Sequence, residues 1–120
     1  MAVTVTNQSN PLASKLVQDT AATNSAVDNT TGANGTLYAV EIVNAAGTIV
    51  YLKLANSTNA TAGTTAAHVV LMCAASSTQS YVFPSGIVFS SGFSHWCVTE
   101  AAESNTDAPG SSVTVRYVTS

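Results

Sequence analysis

Charge is what this chain has least of. Only nine of its 120 residues are Asp, Glu, Lys or Arg, six acidic and three basic, for a formal net charge of -3. Catalysis, metal capture and phosphate binding draw mostly on ionisable side chains, so the deficit points away from enzymes and from a bound cofactor. Three basic residues cannot supply the electrostatic attraction that dominates nucleic-acid affinity, and no direct DNA or RNA partner is expected. Long apolar runs are missing too: the stretch from Val69 to Ala75 is far short of the ~20 residues of a membrane-spanning helix, so no membrane partner is expected. Met1 leads directly into Ala2-Val3-Thr4-Val5-Thr6, without a basic segment or an apolar stretch of signal-peptide length, which predicts cytosolic synthesis. Cysteine is scarce. Cys73 and Cys97 allow one disulfide at most, and a cytosolic setting favours reduced, buried thiols that pack as small apolar groups.

What the chain does have is Ala, Thr, Val and Ser, 66 residues in all. Leu, Ile, Val and Phe number 27, enough with so little charge to predict a folded chain rather than a disordered one. The length suits one domain with a single core. A surface of Thr, Ser, Asn and Ala lacks the charges that are depleted at the centres of protein interfaces, so a packing module is expected. Five Asn-x-Ser/Thr triplets begin at Asn7, Asn29, Asn34, Asn56 and Asn59; so many Ser and Thr make that number a matter of composition.

Residues 1–35 read as an arm or a loosely attached first strand, ending in the turn-rich Asp28-Asn29-Thr30-Thr31-Gly32-Ala33-Asn34-Gly35. Leu12, Leu16 and Val17 have weak helical spacing within it. From Thr36 onward, short β-branched and aromatic segments alternate with Gly, Pro, Ser and Asn clusters. They predict strands over residues 36–44, 48–56, 68–74, 79–83, 86–89, 95–99 and 112–119. The fold class is therefore all-β: an antiparallel β-sandwich of about seven to eight strands in 36–120, with an extended N-terminal arm.

Ala45-Ala46-Gly47 fits a three-residue hairpin loop with Gly47 left-handed, which would pair Ile42 with Val50, Val40 with Leu52 and Tyr38 with Leu54. The other face of that hairpin then holds Leu37, Ala39, Glu41 and Val43 beside Ile49, Tyr51, Lys53 and Ala55. It is apolar enough to need a cover, and Glu41 and Lys53 sit on a diagonal that long side chains can bridge. Residues 56–67 and 101–111 read as surface loops of a length that often binds something.

Chemistry has few candidates. His68, Cys73, His95 and Cys97 are the soft-metal ligands, but on strands His68 and Cys73 point oppositely, so no metal site is assigned. No Gly-x-Ser-x-Gly elbow, protease-like Cys motif or phosphate loop is present, and the six carboxylates fall mostly in loops, so no catalytic residue is assigned. Trp96, with Tyr38, Tyr51, Tyr81 and Tyr117, is a conceivable sugar-stacking platform; within His95-Trp96-Cys97-Val98 it is better read as core.

The run Thr36-Leu37-Tyr38-Ala39-Val40-Glu41-Ile42-Val43-Asn44, then Tyr51-Leu52-Lys53-Leu54, Phe83-Pro84-Ser85-Gly86-Ile87-Val88-Phe89, Gly92 and Trp96-Cys97-Val98-Thr99 resembles small β-sandwich structural proteins of tailed bacteriophages, especially capsid cement or decoration proteins. The resemblance covers about residues 36–120. It implies a non-enzymatic virion component assembled in the bacterial cytoplasm, binding the major capsid protein or other virion subunits and stabilising the shell. A tail or neck structural protein and a glycan-binding β-sandwich module are the alternatives. Contact is expected through Val3, Val5, Leu12, Leu37, Ile49 and Tyr51, with the arm adding a strand to a neighbour. A homo-oligomer, dimer or trimer, is expected because symmetric particles present symmetric sites.

Overall fold

A computed structural model of the chain describes residues 3–7 and 14–120. Its strands are β1 (Val3–Asn7), β2 (Lys15–Ala22), β3 (Gly35–Asn44), β4 (Val50–Asn56), β5 (Val69–Cys73), β6 (Ser77–Phe89), β7 (Phe93–Val98) and β8 (Val113–Thr119). No helix occurs among the described residues. All pairings are antiparallel, in a five-stranded sheet ordered β1-β2-β8-β3-β6 and a three-stranded sheet ordered β5-β4-β7. This is the all-β, two-sheet class that the alternating segments predict, and the core lies between the sheets.

Period-two alternation fills that core. Val40, Ile42, Val50, Leu52, Leu54, Val113, Val115 and Tyr117 all point into it and are buried. Phe89 stacks on Phe93 with ring centroids 4.5 Å apart, closing one end. The expected β3–β4 hairpin does not form, however. β3 bonds to β6 and β8, β4 bonds to β5 and β7, and the connection between them carries the chain from one sheet to the other. Asn44 turns this corner: its Oδ1 accepts from the Ala46 N–H at 2.9 Å, while its Nδ2 donates to the Thr48 and Ala74 carbonyls at 2.9 and 3.0 Å. Gly47 is not left-handed, so the hairpin geometry read from it is absent.

Leu37 also departs from expectation. It is fully buried, whereas strict alternation with Ala39, Glu41 and Val43 places it outside. Opposite β8, Leu37 faces Thr119 and Ala39 faces Val118, so Tyr38 is an extra residue; this bulge reverses the facing of everything before it. On the other side of β3, Leu37 faces Ile87 and Ala39 faces Val82, leaving residues 83–86 as an excursion of β6. Gly86 permits that excursion. Its φ is +73°, and a Cβ there would lie 2.2 Å from Cγ2 of Thr36 and 3.1 Å from Cε1 of Tyr38.

Of the segment read as an arm, Lys15–Ala22 is an interior strand between β1 and β8, with Val17, Asp19 and Ala22 buried. The helical spacing around Leu16 and Val17 is overridden by pairing: Leu16 faces Val118 and Val17 faces Tyr117. The following connection runs along the free edge of β7. Val27 and His95 exchange backbone hydrogen bonds at 2.9 and 3.1 Å, Thr30 donates to the Phe93 carbonyl at 2.9 Å, and Cys97 donates to the Thr23 carbonyl at 2.8 Å. The turn-rich residues therefore seal a sheet edge.

Leu52→Ala is expected to lower the unfolding free energy by about 2–5 kcal/mol in urea titrations. Val82→Ala, at a position 66% exposed, should change it by less than about 0.5 kcal/mol. Similar losses at both positions would contradict the placement of the core.

Candidate functional site

The densest convergence of chemistry-bearing groups joins four separate parts of the chain. Alternation in β2 turns Val17 and then Asp19 inward; alternation in β7 does the same for Phe93, His95 and Cys97, and in β8 for Val115 and Tyr117. Nε2 of His95 donates to Oδ2 of Asp19 at 2.8 Å, and Nδ1 lies 2.9 Å from the Tyr117 hydroxyl. That hydroxyl is 2.8 Å from Oγ1 of Thr30, which donates to the Phe93 carbonyl at 3.3 Å. Asp19 also accepts from the Ala21 N–H at 3.0 Å.

One hydrogen-bonded chain therefore runs from Asp19 through His95 and Tyr117 to Thr30, with the Nε2–H of His95 donated to the carboxylate. Burial alone raises the Asp19 carboxyl. The His95 and Ala21 hydrogen bonds and the charge of His95 reverse this and hold it below the usual carboxylate range. Burial pushes the Tyr117 hydroxyl well up, against the smaller opposing effect of Thr30.

In order, carboxylate, imidazole and hydroxyl resemble a nucleophile with its base and orienting acid. Asp19, His95 and Tyr117 are each 0% exposed, however, so nothing in solution meets them without opening the core. What this arrangement does is clamp: Asp19 and Tyr117 belong to the five-stranded sheet and His95 to the three-stranded one. A buried pair of this kind adds little net stability against an apolar replacement but is costly to break by halves.

The thiols lie in the same core. Burial raises Cys97 strongly, with further contributions from Asp19 and Cys73; burial also raises Cys73, opposed by backbone hydrogen bonds from Asn44 and Gln79. Both are free. His68 is exposed, its Nε2 3.0 Å from the Val88 carbonyl and its ring edge-on to Phe89. The four soft ligands do not converge, and the described residues contain no group of three or more His, Cys, Asp or Glu arranged to hold a metal.

The expected contact residues scatter. Leu37 is in the core, and Tyr51 packs against the cluster of Ala55, Ala60, Trp96 and Val98 on the outer face of the three-stranded sheet. The face expected to need a cover is divided: Ala39, Glu41 and Val43 go to the five-stranded sheet, and the chain's own loops cover Tyr51, Lys53 and Ala55 on the three-stranded one. Residues 56–67 bring Ala60 and Ala62 onto it, with the Ala60 N–H donating to Asp28 at 2.9 Å. From residues 101–111, the Ala102 carbonyl accepts from Nζ of Lys53. Lys53 is thus buried and does not meet Glu41, which pairs with Arg116 at 2.9 Å instead. Burial pulls the Lys53 ammonium below its ordinary value, partly offset by Glu103. Trp96, at 0% exposure, offers no ring to a sugar.

Val3 and Ile49 are half-buried, Val5 is 43% exposed on the edge strand β1, and Leu12 lies outside the described residues. Asp19, Thr30 and Tyr117 carry no motif; their only local signal is the inward position of Asp19 two residues after Val17. Compared with family models, curated proteins and solved structures, the chain matches none.

Asp19→Ala leaves His95 buried without its partner and should cost about 3–5 kcal/mol at neutral pH. The pH dependence follows from a lowered folded-state value: the stabilisation from Asp19 is complete above about pH 5 and is lost as pH falls through about 3.9 and on through the folded-state value. Asp19→Asn should flatten this acid limb in urea titrations between about pH 2 and pH 6; an unchanged limb would remove Asp19 from the account. Neither Cys73 nor Cys97 should react with a thiol reagent until denaturant is added, and rapid native labelling would contradict their burial.

Proposed function

We propose that this chain is a non-enzymatic structural protein of a tailed-bacteriophage virion, a capsid cement or decoration protein that binds neighbouring capsid subunits and stabilises the shell. The observation that carries the reading is where the scarce reactive groups go. Asp19, His95 and Tyr117 are spent on an internal clamp, both thiols and Lys53 are buried, and Arg116 and Glu41 satisfy each other. What remains outside is chiefly Thr, Ser, Ala, Asn and Val. Such a surface suits contact with protein, because little polar surface must be desolvated and no like charges are brought together.

The partner in this reading is the major capsid protein or another virion subunit, met during assembly in the host cytoplasm, where free cysteines are the expected state. The resemblance over 36–120 supports the class of particle. The strand-addition role belongs to β1, since β2 is interior to the sheet and its removal would take Asp19 from the clamp. A deletion that tests the arm must therefore end before Ser14.

Purified protein mixed with particles lacking it should sediment with them and raise their resistance to heat. Particles that neither gain mass nor change in heat resistance reject the reading. Deleting residues 1–7 should weaken particle binding while the remaining seven strands keep a cooperative urea unfolding transition; undiminished binding would exclude β1 as the contact.

A further inference from the structure

The two sheets treat their outer faces differently. On the three-stranded sheet, Ala55, Trp96 and Val98 are fully buried beneath the chain's own loops. On the five-stranded sheet, Val82 is 66% exposed, and Leu16, Ala39 and Val118 are only partly buried. The register lines these four up. Leu16 faces Val118, Val118 faces Ala39, and Ala39 faces Val82, so one apolar row crosses β2, β8, β3 and β6. Two residues along lies a polar row: Gln18 faces Arg116, Arg116 faces Glu41, and Glu41 faces Ser80. The apolar row, with Arg116, Glu41 and Ser80 of the polar one, lines an open depression of about 330 Å³.

We propose that this face binds a second copy of the chain, about a two-fold axis parallel to the strands and midway between β3 and β8. The rows are self-complementary about that axis. Rotation lays β8 over β3 of the other copy and β2 over β6. Val118 then meets Ala39 and Leu16 meets Val82, apolar against apolar, while Arg116 meets Glu41 twice at the centre of the polar row and Gln18 meets Ser80 at its ends. Within one copy, Nη1 of Arg116 donates to Glu41 and its Nε to Gln18, both at 2.9 Å, so the row is already oriented. The side chains of Arg116 and Glu41 keep 38% and 42% exposure, leaving room for the second pairing.

Charge favours a copy over a partner of net charge. The patch holds one cation and one anion, so it has no net field to select an acidic or basic surface, whereas a rotated copy satisfies both. No Asp, Glu, Lys or Arg occurs from Leu54 to Thr99, so β6 brings no like charge to oppose the approach. Four strands about 4.8 Å apart, crossed by two rows about 7 Å apart, make the patch about 270 Å² per copy, below the size of a stable specific interface, which predicts a weak, concentration-dependent dimer. The inference does not rest on the virion reading, and particle binding is a separate measurement.

Sedimentation equilibrium of the full chain from about 1 μM to about 1 mM tests it. Dimerisation is expected within that range, and a monomer throughout overturns the proposal. Val82→Lys, Glu41→Arg alone and Arg116→Glu alone should each weaken association about tenfold or more, by placing an unpaired charge in the apolar row or like charges opposite one another. The double variant Glu41→Arg/Arg116→Glu should recover it, because exchanging the charges preserves their complementarity. Circular dichroism and urea midpoints establish that each variant is folded. Association that survives Val82→Lys and both single reversals, or a double variant no better than the singles, places any dimer on another surface and overturns the proposal.

Discussion

The sandwich depends on one buried contact between sheets, the carboxylate of Asp19 against the imidazole of His95. Backbone hydrogen bonds hold each sheet to itself, but the two sheets meet chiefly through apolar side chains, which tolerate sliding and repacking. The Asp19–His95–Tyr117–Thr30 chain does not tolerate it. Its 2.8–2.9 Å spacings fix β2 and β8 against β7 and fix the 23–30 connection along the edge of β7. A displacement of one residue in β2 would turn Asp19 outward and leave the His95 ring N–H buried without its acceptor. The clamp therefore contributes register more than net stability.

The fixed register shapes both outer faces. Because the 23–30 connection is tied to β7, Asp28 stands where its carboxylate receives the Ala60 N–H, and residues 56–67 are drawn over Trp96. Gly63 lies so close to Thr106 that a Cβ would fall 2.5 Å from Cγ2, so the covering loops also touch each other. The three-stranded sheet is thus covered over β4 and β7, while at its β5 edge Val70 and Met72 stay 43% exposed. The five-stranded sheet receives no such cover over Ala39 and Val82, and its exposed face is set by β2, β8, β3 and β6 in the register that the clamp imposes.

Alternation in the sequence reveals which side chains are inside but not which strands are neighbours. Val40, Ile42, Val50, Leu52 and Leu54 are core whether β3 and β4 pair or face each other across the sandwich, because both arrangements bury the same alternate positions. The choice falls to Asn44, whose side-chain hydrogen bonds look, in sequence, like those of any turn residue. Leu37 was hidden by the Tyr38 bulge, whose cause lies in the long-range fit of Gly86 beneath Thr36 and Tyr38. β2 was hidden because its inward positions include an acid, and Asp19 makes sense only beside a histidine 76 residues away. The strands from 36 onward were legible because their β-branched residues are locally consistent, whereas the clamp is a property of the fold.

The low charge takes on a different meaning once the charges are placed. Four of the nine tie down irregular segments: Asp28 holds the Ala60 N–H, Lys53 holds the Ala102 carbonyl, and Glu100 and Asp107 accept from Nδ2 of Asn105 in the second covering loop. Repulsion between copies rests on a net charge of -3, which salt at physiological strength screens within about 8 Å. Shape and register must then decide what the chain binds. A face holding one cation and one anion has no net field to reject a wrong partner, so selectivity falls to the order of apolar and polar rows. That order is fixed by the same inward-pointing Asp19 that fixes β2, so a buried carboxylate–imidazole contact sets the arrangement of a surface it never touches.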